Sequence, residues 1–280
     1  MEKGLAGRKV LITGASSGIG AAIALTLAEK GCLVWGTTRD LTKVATLPTT
    51  LQQQVKFVEM DVTDDESVRD GFSRFLAEAE GIDVLINNAG FGVFGPLEEF
   101  PLAQVEAIFA TNYGGALRLI QVVAPVMREQ RGGLIINITS LAARFVIPFQ
   151  VHYSATKFAL KALTEGLRQE LRPFGVKVVS LEPGDINTNF NNVTKFGIKE
   201  NSPYQKWADA CWRMIDVNMQ KAPSPQVIAD QVLKIVGKKN PRSCYVAGDY
   251  LSTKFPVLAS LVPERIKEKL IRVFYGIDFQ

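Results

Sequence analysis

Lys9-Val10-Leu11-Ile12-Thr13-Gly14-Ala15-Ser16-Ser17-Gly18-Ile19-Gly20 is the stretch on which the fold turns. Lys9–Ile12 reads as a short buried strand. The alanine-rich run from Ile19 to Lys30 reads as a helix that stops at Gly31. Between them lies a turn with the spacing G-x-x-x-G-x-G. Glycine lets a backbone bend tightly and approach a phosphate, and a helix N-terminus offers free N–H groups with a partial positive charge. The order strand, glycine turn, helix therefore predicts a cradle for a dinucleotide pyrophosphate. Gly14, Ser16, Ser17, Gly18, Ile19 and Gly20 would form it. A plain tight turn is the alternative.

Leu33–Thr37 reads as the second strand, and its end is where such a fold meets the adenosine ribose. A carboxylate there would accept from the 2′-hydroxyl of NAD and repel the 2′-phosphate of NADP. This chain has Thr37-Thr38-Arg39-Asp40. Guanidinium matches phosphate geometry. NADP(H) is the expected cofactor, with Arg39 on the 2′-phosphate and Ser17 or Thr38 assisting. NAD(H) stays open, because Asp40 lies one step further on and no basic residue sits inside the glycine turn. Arg39 as a solvated surface charge is the plainer alternative.

Val55–Met60 reads as a third strand, with Asp61 and Val62 at its end. Asp61 there suits either an adenine amino group or a turn. Thr63 or Asp64 is placed to cap the next helix, with Glu66 completing a capping box. Asp83–Asn87 reads as a fourth strand, running into Asn87-Asn88-Ala89-Gly90, small enough for a cofactor to approach. A helical region from about Leu102 to Gln130 carries Thr111-Asn112-Tyr113-Gly114-Gly115 in its middle. That is poor helix chemistry and marks a kink. Leu134–Ser140 reads as a strand, Val151–Leu171 as a helix, and Val176–Leu181 as a sixth strand followed by Glu182-Pro183-Gly184-Asp185-Ile186-Asn187-Thr188. A last strand falls near Ser243–Val246.

Alternating strands and helices predict an α/β fold: one doubly wound domain over residues 1–250, with about seven parallel strands and helices on both faces. A C-terminal helical extension, 251–280, follows. Thr13–Gly20, Arg39, Asp61, Asn87–Gly90, Ser140 and Pro183–Thr188 all fall at C-terminal strand ends, the edge where such sheets bind ligands.

Tyr153 and Lys157 are four residues apart on the 151–171 helix, so both can face one cleft. A free phenol has a pKa of about 10, and a nearby cation favours the phenolate. Tyr153 is thus a candidate general acid/base. Ser140, where a strand opens into a loop, can hydrogen-bond a carbonyl or alcohol oxygen. Y-x-x-x-K alone is weak, and its weight comes from the motifs that converge with it.

T-G-A-S-S-G-I-G, N-N-A-G, Asn112, Ser140, Y-S-A-T-K and P-G-x-x-x-T occur in an order and spacing that resembles the short-chain dehydrogenase/reductase family, over roughly Arg8 to Thr188. The wider pattern, with G-T-T-R-D and the long tail, resembles the branch of hydroxysteroid, retinol and lipid-alcohol dehydrogenases. The resemblance implies a Rossmann-type domain and a tetrad of Asn112, Ser140, Tyr153 and Lys157. It implies that Asp61 and Val62 flank adenine, and that Asn87, Asn88, Ala89 and Gly90 line the riboses. Pro183, Gly184, Ile186 and Thr188 would hold the carboxamide end. It implies a homodimer or homotetramer built on the 102–130 and 151–171 helices. In the implied mechanism Ser140 binds the substrate oxygen, Tyr153 gives it a proton, Lys157 lowers the tyrosine pKa and binds ribose, and Asn112 holds a water. Asp185 departs from the family, which favours an apolar or tryptophan-like residue there.

The 188–222 stretch leaves the regular pattern and is expected to be a substrate loop. Phe190, Phe196, Tyr204, Trp207, Trp212 and Met214, with Phe94, Phe145, Ile147 and Phe149, suit either an apolar pocket or plain core. The expected reaction interconverts a hydrophobic ketone and a secondary alcohol, steroid-, retinoid- or lipid-like, with NADP(H). An NAD-dependent alcohol dehydrogenase and a non-catalytic dinucleotide sensor or scaffold are the alternatives.

Among 280 residues, a formal charge of +4 and no basic, aromatic-laced stripe argue against nucleic acid. The single histidine, His152, and three scattered cysteines argue against a metal site and a disulfide framework. Without a leader-like start or a run of about 20 apolar residues, a cytoplasmic protein is expected. The tail reads as a helix from Pro263 to Gly276 whose stripe Ile266, Leu270, Val273 and Phe274 lies among Arg265, Lys267, Lys269 and Arg272. It would pack on protein or rest on a membrane surface.

Overall fold

Val10 and Ile12 of β1 (Lys9–Ile12) point to one face of the sheet and Leu11 to the other, and all three are fully buried. That is the signature of a parallel strand covered on both sides. A computed structural model describes residues 4–249 and 262–277. The expected boundary near 250 and the apolar stretch 251–261 lie outside the described residues.

The other strands of the main sheet are β2 (Leu33–Thr38), β3 (Lys56–Glu59), β4 (Val84–Asn87), β6 (Gly133–Ile138), β7 (Val176–Pro183) and β9 (Cys244–Ala247). All pairs are parallel, in the order β3-β2-β1-β4-β6-β7-β9. The chain starts in the middle, winds out to β3, then returns to β4 and winds the other way. The neighbours β1 and β4 therefore form the switch point, where a ligand crevice opens above the strand ends.

Helices α1 (Gly18–Glu29) and α8 (Gln226–Val236) cover one face through Ile23, Leu27, Ile228 and Val232. Helices α3 (Asp65–Ala79) and α5 (Gly115–Glu129) cover the other through Phe72, Phe75, Leu119 and Val123. Burying each such side chain stabilises by about 1.5–3 kcal/mol. Asp64 caps α3, accepting from Ser67 N–H at 2.7 Å. Ser67 thus takes the third helical position, so the box expected with Glu66 does not form. Its hydroxyl accepts from Asp61 N–H at 2.9 Å instead.

The 102–130 region is α4 (Leu102–Phe109), one π-helical turn (Ala110–Gly114) and α5. The kink lies where Asn112 and the glycines placed it. Arg118 Nη1 donates to Ala110 O at 3.3 Å, satisfying a carbonyl in that turn. The expected 188–222 loop is a correction. It holds β8 (Lys195–Phe196), which pairs with β5 (Val93–Phe94), and the long helix α7 (Gln205–Lys221). Ala208, Cys211 and Ile215 are buried at helical spacing, and the flanking tryptophans and aromatics had masked that period. A short α2 (Thr49–Gln54) precedes β3, α6 spans Val151–Leu171, and α9 spans Glu264–Phe274. Gly276, at φ 68°, ends α9.

Candidate active site and cofactor cleft

The glycine turn is built so that backbone can approach backbone. Gly14 and Gly18 have φ of 66° and 54°. A Cβ on Gly14 would lie 3.1 Å from Ala89 Cα, and one on Gly20 would lie 2.6 Å from Asn88 Nδ2. Thr13 Oγ1 accepts from the N–H groups of Asn88 and Ala89, both at 2.9 Å. Asn88 Nδ2 returns bonds to Thr13 O at 2.9 Å and Gly14 O at 3.2 Å. Asn88 therefore braces the turn from behind. Ser17 precedes α1 and makes no side-chain cap, so no side chain covers the first-turn N–H groups. Ser16 and Ile19 lie half-buried beside it.

The loop after β7 comes down on this turn. Thr188 Cβ lies 3.6 Å from where a Gly18 Cβ would stand. Pro183 ends β7, Gly184 N–H donates to Ala247 O at 2.9 Å, and Ile186 is buried. Two motifs far apart in sequence thus form opposite walls of one cleft.

At the ribose end, Arg39 is exposed and makes no hydrogen bond or ion pair among the described residues. Asp40 is occupied: its Oδ1 accepts from Thr42 N–H at 2.9 Å and from Thr42 Oγ1–H at 2.5 Å, and Lys43 lies 3.8 Å from Oδ2. Thr42's bonds hold the Asp40 carboxyl below its usual range. Thr38 is tied to the Asp40 backbone. Asp61 closes a turn, accepting from Thr63 N–H at 2.9 Å and Oγ1–H at 2.7 Å. Val62 is buried against the site of Gly115.

Helix α6 brings Tyr153 and Lys157 together one turn apart. Lys157 is buried; its Nζ donates to Ile138 O at 3.0 Å and lies 5.7 Å from the Tyr153 ring centre. Ser140 accepts from Ala142 N–H at 3.0 Å, and its hydroxyl bonds the Tyr153 phenol. Burial pushes the Tyr153 phenol up to about 12; the Ser140 bond opposes this and the Asp185 charge adds to it. Burial pushes Lys157 down to about 8. The sequence reading had Lys157 depressing the phenol. In the protein alone, burial raises the phenol and lowers the lysine.

Asn112 sits buried in the π turn. Its Oδ1 accepts from Phe91 N–H at 3.1 Å, and Nδ2 donates to Phe91 O at 3.0 Å and Thr156 Oγ1 at 3.2 Å. Both amide N–H bonds are spent on protein, so the side chain fixes the Gly90–Phe91 backbone rather than presenting an amide donor to a water. A Cβ on Gly90 would lie 2.9 Å from Asn112 Oδ1 and 3.8 Å from Lys157 Nζ. Gly90 therefore keeps open the space between Asn112 and Lys157.

Several supporting residues escaped the sequence reading. Glu182 is fully buried in β7 and accepts from Arg144 Nε and from Cys244 Sγ at 3.2 Å, with Lys161 Nζ at 3.7 Å. It ties the loop after Ser140, α6 and β9 to the strand that ends at Pro183. The available signal was a charge continuing an apolar strand. Asn87 Nδ2 donates to Asn137 Oδ1 at 2.8 Å, and Asn137 Nδ2 to Thr164 Oγ1 at 2.9 Å, linking β4, β6 and α6. Thr156 accepts from Asn112 and donates to Tyr153 O at 2.7 Å.

The aromatic residues form two groups, one at Tyr153 and one around Phe94. Phe190 meets the Tyr153 ring edge-on at 5.6 Å. Phe94 is enclosed, with Phe149, Phe196 and Trp212 at 5.7, 5.8 and 5.0 Å, so it supports the wall from behind. Phe149 holds φ at 63°, a left-handed conformation that costs a bulky residue about 1–3 kcal/mol. Phe145 is half-buried in the same loop. A 360 Å³ cavity is lined by Pro96, Leu97, Phe149, Tyr204, Trp207 and Ile277. Ile277, just past α9, packs into this cluster, so the described end of the tail belongs to the pocket. His152 lies against Phe100 at 5.3 Å, with Nε2 buried and unpartnered.

The switch-point crevice, the glycine cradle and the Ser–Tyr–Lys cluster define a dinucleotide-dependent oxidoreductase. The family model of short chain dehydrogenases matches residues 8–201, and the chain belongs to that NAD(P)-dependent family. It is 35% identical to the 3-ketodihydrosphingosine reductase of Bacteroides thetaiotaomicron, over 96% of this chain and 98% of that one. It is 34% identical to retinol dehydrogenase 8 of Bos taurus, over 84% and 79%. The crystal structure of a short-chain dehydrogenase from Streptomyces avermitilis superposes with a TM-score of 0.81 at 29% identity, covering 98% of this chain and all of that one. No helix among the described residues is long and apolar enough to cross a membrane.

Proposed function

We propose that this protein reduces a hydrophobic, lipid-like ketone to its secondary alcohol with NADPH. The observation that carries the reading is the buried Ser140–Tyr153–Lys157 cluster, opening beside an aromatic wall through the Tyr153–Phe190 contact. The relatives named for a sphingoid ketone and for retinol fit a lipid-like substrate.

The residues present fit a dinucleotide. Gly14, Gly18 and Gly20 let the turn pack closely on its neighbours, and the first turn of α1 has no side-chain cap, so its N–H groups suit a pyrophosphate. Arg39, exposed and unpaired among the described residues, is free to take a 2′-phosphate, while Asp40 is held by Thr42 and Lys43. Lys157 would hold ribose hydroxyls beside Ala89 and Gly90, and Ile186 and Thr188 the carboxamide. The bound nicotinamide supplies hydride to the carbonyl carbon. Ser140 orients the carbonyl oxygen, and Tyr153 gives it the proton. A phenol at about 12 keeps its proton at neutral pH, which suits donation and hence reduction; oxidation would need the phenolate. Lys157, at about 8, is charged at neutral pH and stands beside the phenol.

Two outcomes follow. Long-chain ketones should consume NADPH, read at its absorbance band, and should do so faster than short ones; no consumption across a ketone panel would sink the reading. For reduction, kcat/KM should fall as pH rises through about 8, where Lys157 loses its proton while Tyr153 keeps its own. A profile flat to pH 10 (roughly two units beyond that midpoint) would remove Lys157 from the acid–base role.

A second reading concerns the tail. Ile266, Leu270, Val273 and Phe274 of α9 are 52–54% exposed in one stripe, with Arg265, Lys269 and Arg272 on the same helix. Apolar side chains flanked by cations suit the surface of an anionic bilayer. The pocket-lining Ile277 follows that helix directly, which supports a substrate entrance beside that surface. The full chain should sediment with phosphatidylserine vesicles and less with phosphatidylcholine alone. Replacing the four stripe residues by serine should abolish this; unchanged sedimentation would contradict it.

A further inference from the structure

Glu182 is a charged side chain inside a parallel sheet, fully buried on β7 directly before Pro183. Both of its oxygens are engaged. Oε2 accepts from Arg144 Nε, and Oε1 accepts from Cys244 Sγ at 3.2 Å with Lys161 Nζ at 3.7 Å. Arg144 Nη2 reaches the same sulfur at 3.2 Å, which closes a ring of three side chains. Burying a carboxylate is costly even when it is paired, and an apolar set of similar volume often stabilises a fold as well or better. Stability alone therefore gives no reason for a charge at this position. What a fully satisfied network adds is one fixed geometry.

The geometry it fixes is that of Ser140. The preceding residue, Thr139, is bound to β7: its N–H donates to Leu181 O at 2.8 Å and its hydroxyl to the same oxygen at 3.0 Å. One tight turn follows, in which Ala142 N–H donates to Ser140 Oγ at 3.0 Å, Ala143 N–H to Ser140 O at 3.0 Å and Arg144 N–H to Leu141 O at 2.8 Å. Arg144 closes that turn, and its guanidinium returns to β7 at Glu182. Ser140 is thus held from both sides by neighbouring residues of one strand. The next residues of that strand, Pro183 and Gly184, begin the wall assigned to the carboxamide, and Gly184 N–H is fixed on Ala247 O at 2.9 Å. On α6, Lys161 lies one turn past Lys157, so the helix that carries the phenol joins the same carboxylate. Resting on the reductase reading, we propose that Glu182 is a positioning residue. Through Arg144 it holds the Ser140 hydroxyl in register with the Pro183–Thr188 wall, and so aligns the substrate carbonyl with the nicotinamide for hydride transfer.

The test uses the full chain in two variants. Arg144→Met with Glu182→Met removes the pair together, so that neither charge is left buried alone. Glu182→Gln keeps the shape and one acceptor oxygen for Arg144. Three properties are read: the melting temperature, amide hydrogen exchange of residues 140–145, and reduction of a long-chain ketone by NADPH and by NADPH deuterated at the transferred position. The double variant should melt close to the wild type or above it. Its Ala142–Phe145 amides should exchange roughly tenfold or more faster, with β7 unchanged, as suits loss of a charged hydrogen bond that closes the turn. Its kcat should fall roughly tenfold to a hundredfold, the penalty for small misplacement of reacting groups, with a hydride isotope effect at least as large as in the wild type. Glu182→Gln should lose less on each count. Unchanged exchange in 140–145, or kcat within a few-fold of the wild type, would overturn the proposal. So would a fall in kcat with a diminished isotope effect, which would put the slow step away from hydride transfer. If the double variant does not fold, Glu182→Gln decides. Faster exchange confined to this turn, with slower isotope-sensitive reduction at an unchanged melting temperature, upholds the proposal, and losses that follow a lowered melting temperature overturn it. A wild type that reduces no ketone removes the reductase reading, and the exchange arm then decides by itself whether Glu182 holds the Ser140 turn.

Discussion

The glycine cradle and the aromatic pocket are built on opposite principles. The cradle is made of backbone. Gly14 and Gly20 are needed because a Cβ would meet Ala89 or Asn88, Gly18 because its φ is 54°, and Thr13 and Asn88 lock the turn through bonds to main chain. The pocket is made of side-chain volume. Phe94, Phe149, Phe196 and Trp212 hold one another, on β5, the loop before α6, β8 and α7. A backbone site tolerates one residue type at each critical position, whereas a packed wall tolerates many. The first can recur in many proteins that bind one cofactor, and the second can change with the substrate.

That contrast can be broken most severely at Gly20. In Gly20→Val the side chain must enter space held by Asn88 and the Gly14 carbonyl. NADPH-dependent kcat/KM should fall on the order of 100-fold or more, since small displacements at a reacting site carry penalties of that size. Alkyl-ligand binding read by tryptophan fluorescence should persist. Loss of both together would mean the halves are not separable. A smaller effect is expected at Arg39. In Arg39→Glu, NADPH affinity should drop roughly tenfold to a hundredfold, with NADH much less affected, as suits loss of one charged hydrogen-bonding partner. A surviving NADPH preference would show that Arg39 is a surface charge. The smallest change is expected at the wall. Trp212→Leu removes aromatic contacts at 5.0 and 4.6 Å with Phe94 and Phe196. Each is worth about 0.5–1.5 kcal/mol, so KM for a long-chain ketone should rise roughly threefold to tenfold while nucleotide affinity stays put. A shift in nucleotide affinity would sharpen the comparison differently, by showing that the wall also shapes the cradle.

The same contrast explains what could be read from the chain alone. The strands, the sheet direction and the 14–20 turn were legible because short apolar runs and glycine spacing are local signals. The kink at Asn112 was legible for the same reason. Helix α7 was not, because its buried set of Ala208, Cys211 and Ile215 is small and is overshadowed by Trp207 and Trp212. Glu182 was read as the start of a loop, though its partners Arg144, Lys161 and Cys244 come from three other elements, which only the fold assembles. The Tyr153–Lys157 pair was found by spacing, but the balance of its proton affinities was not. Burial governs both groups, and burial belongs to the tertiary structure.

The most direct test of the account is Tyr153→Phe, with NADPH titration by protein fluorescence and ketone reduction measured on one preparation. NADPH should bind as in the wild type, while reduction should fall roughly 100- to 10,000-fold, the contribution of one positioned general acid. Reduction within a few-fold of the wild type, with NADPH bound, would contradict the central claim that this phenol supplies the proton.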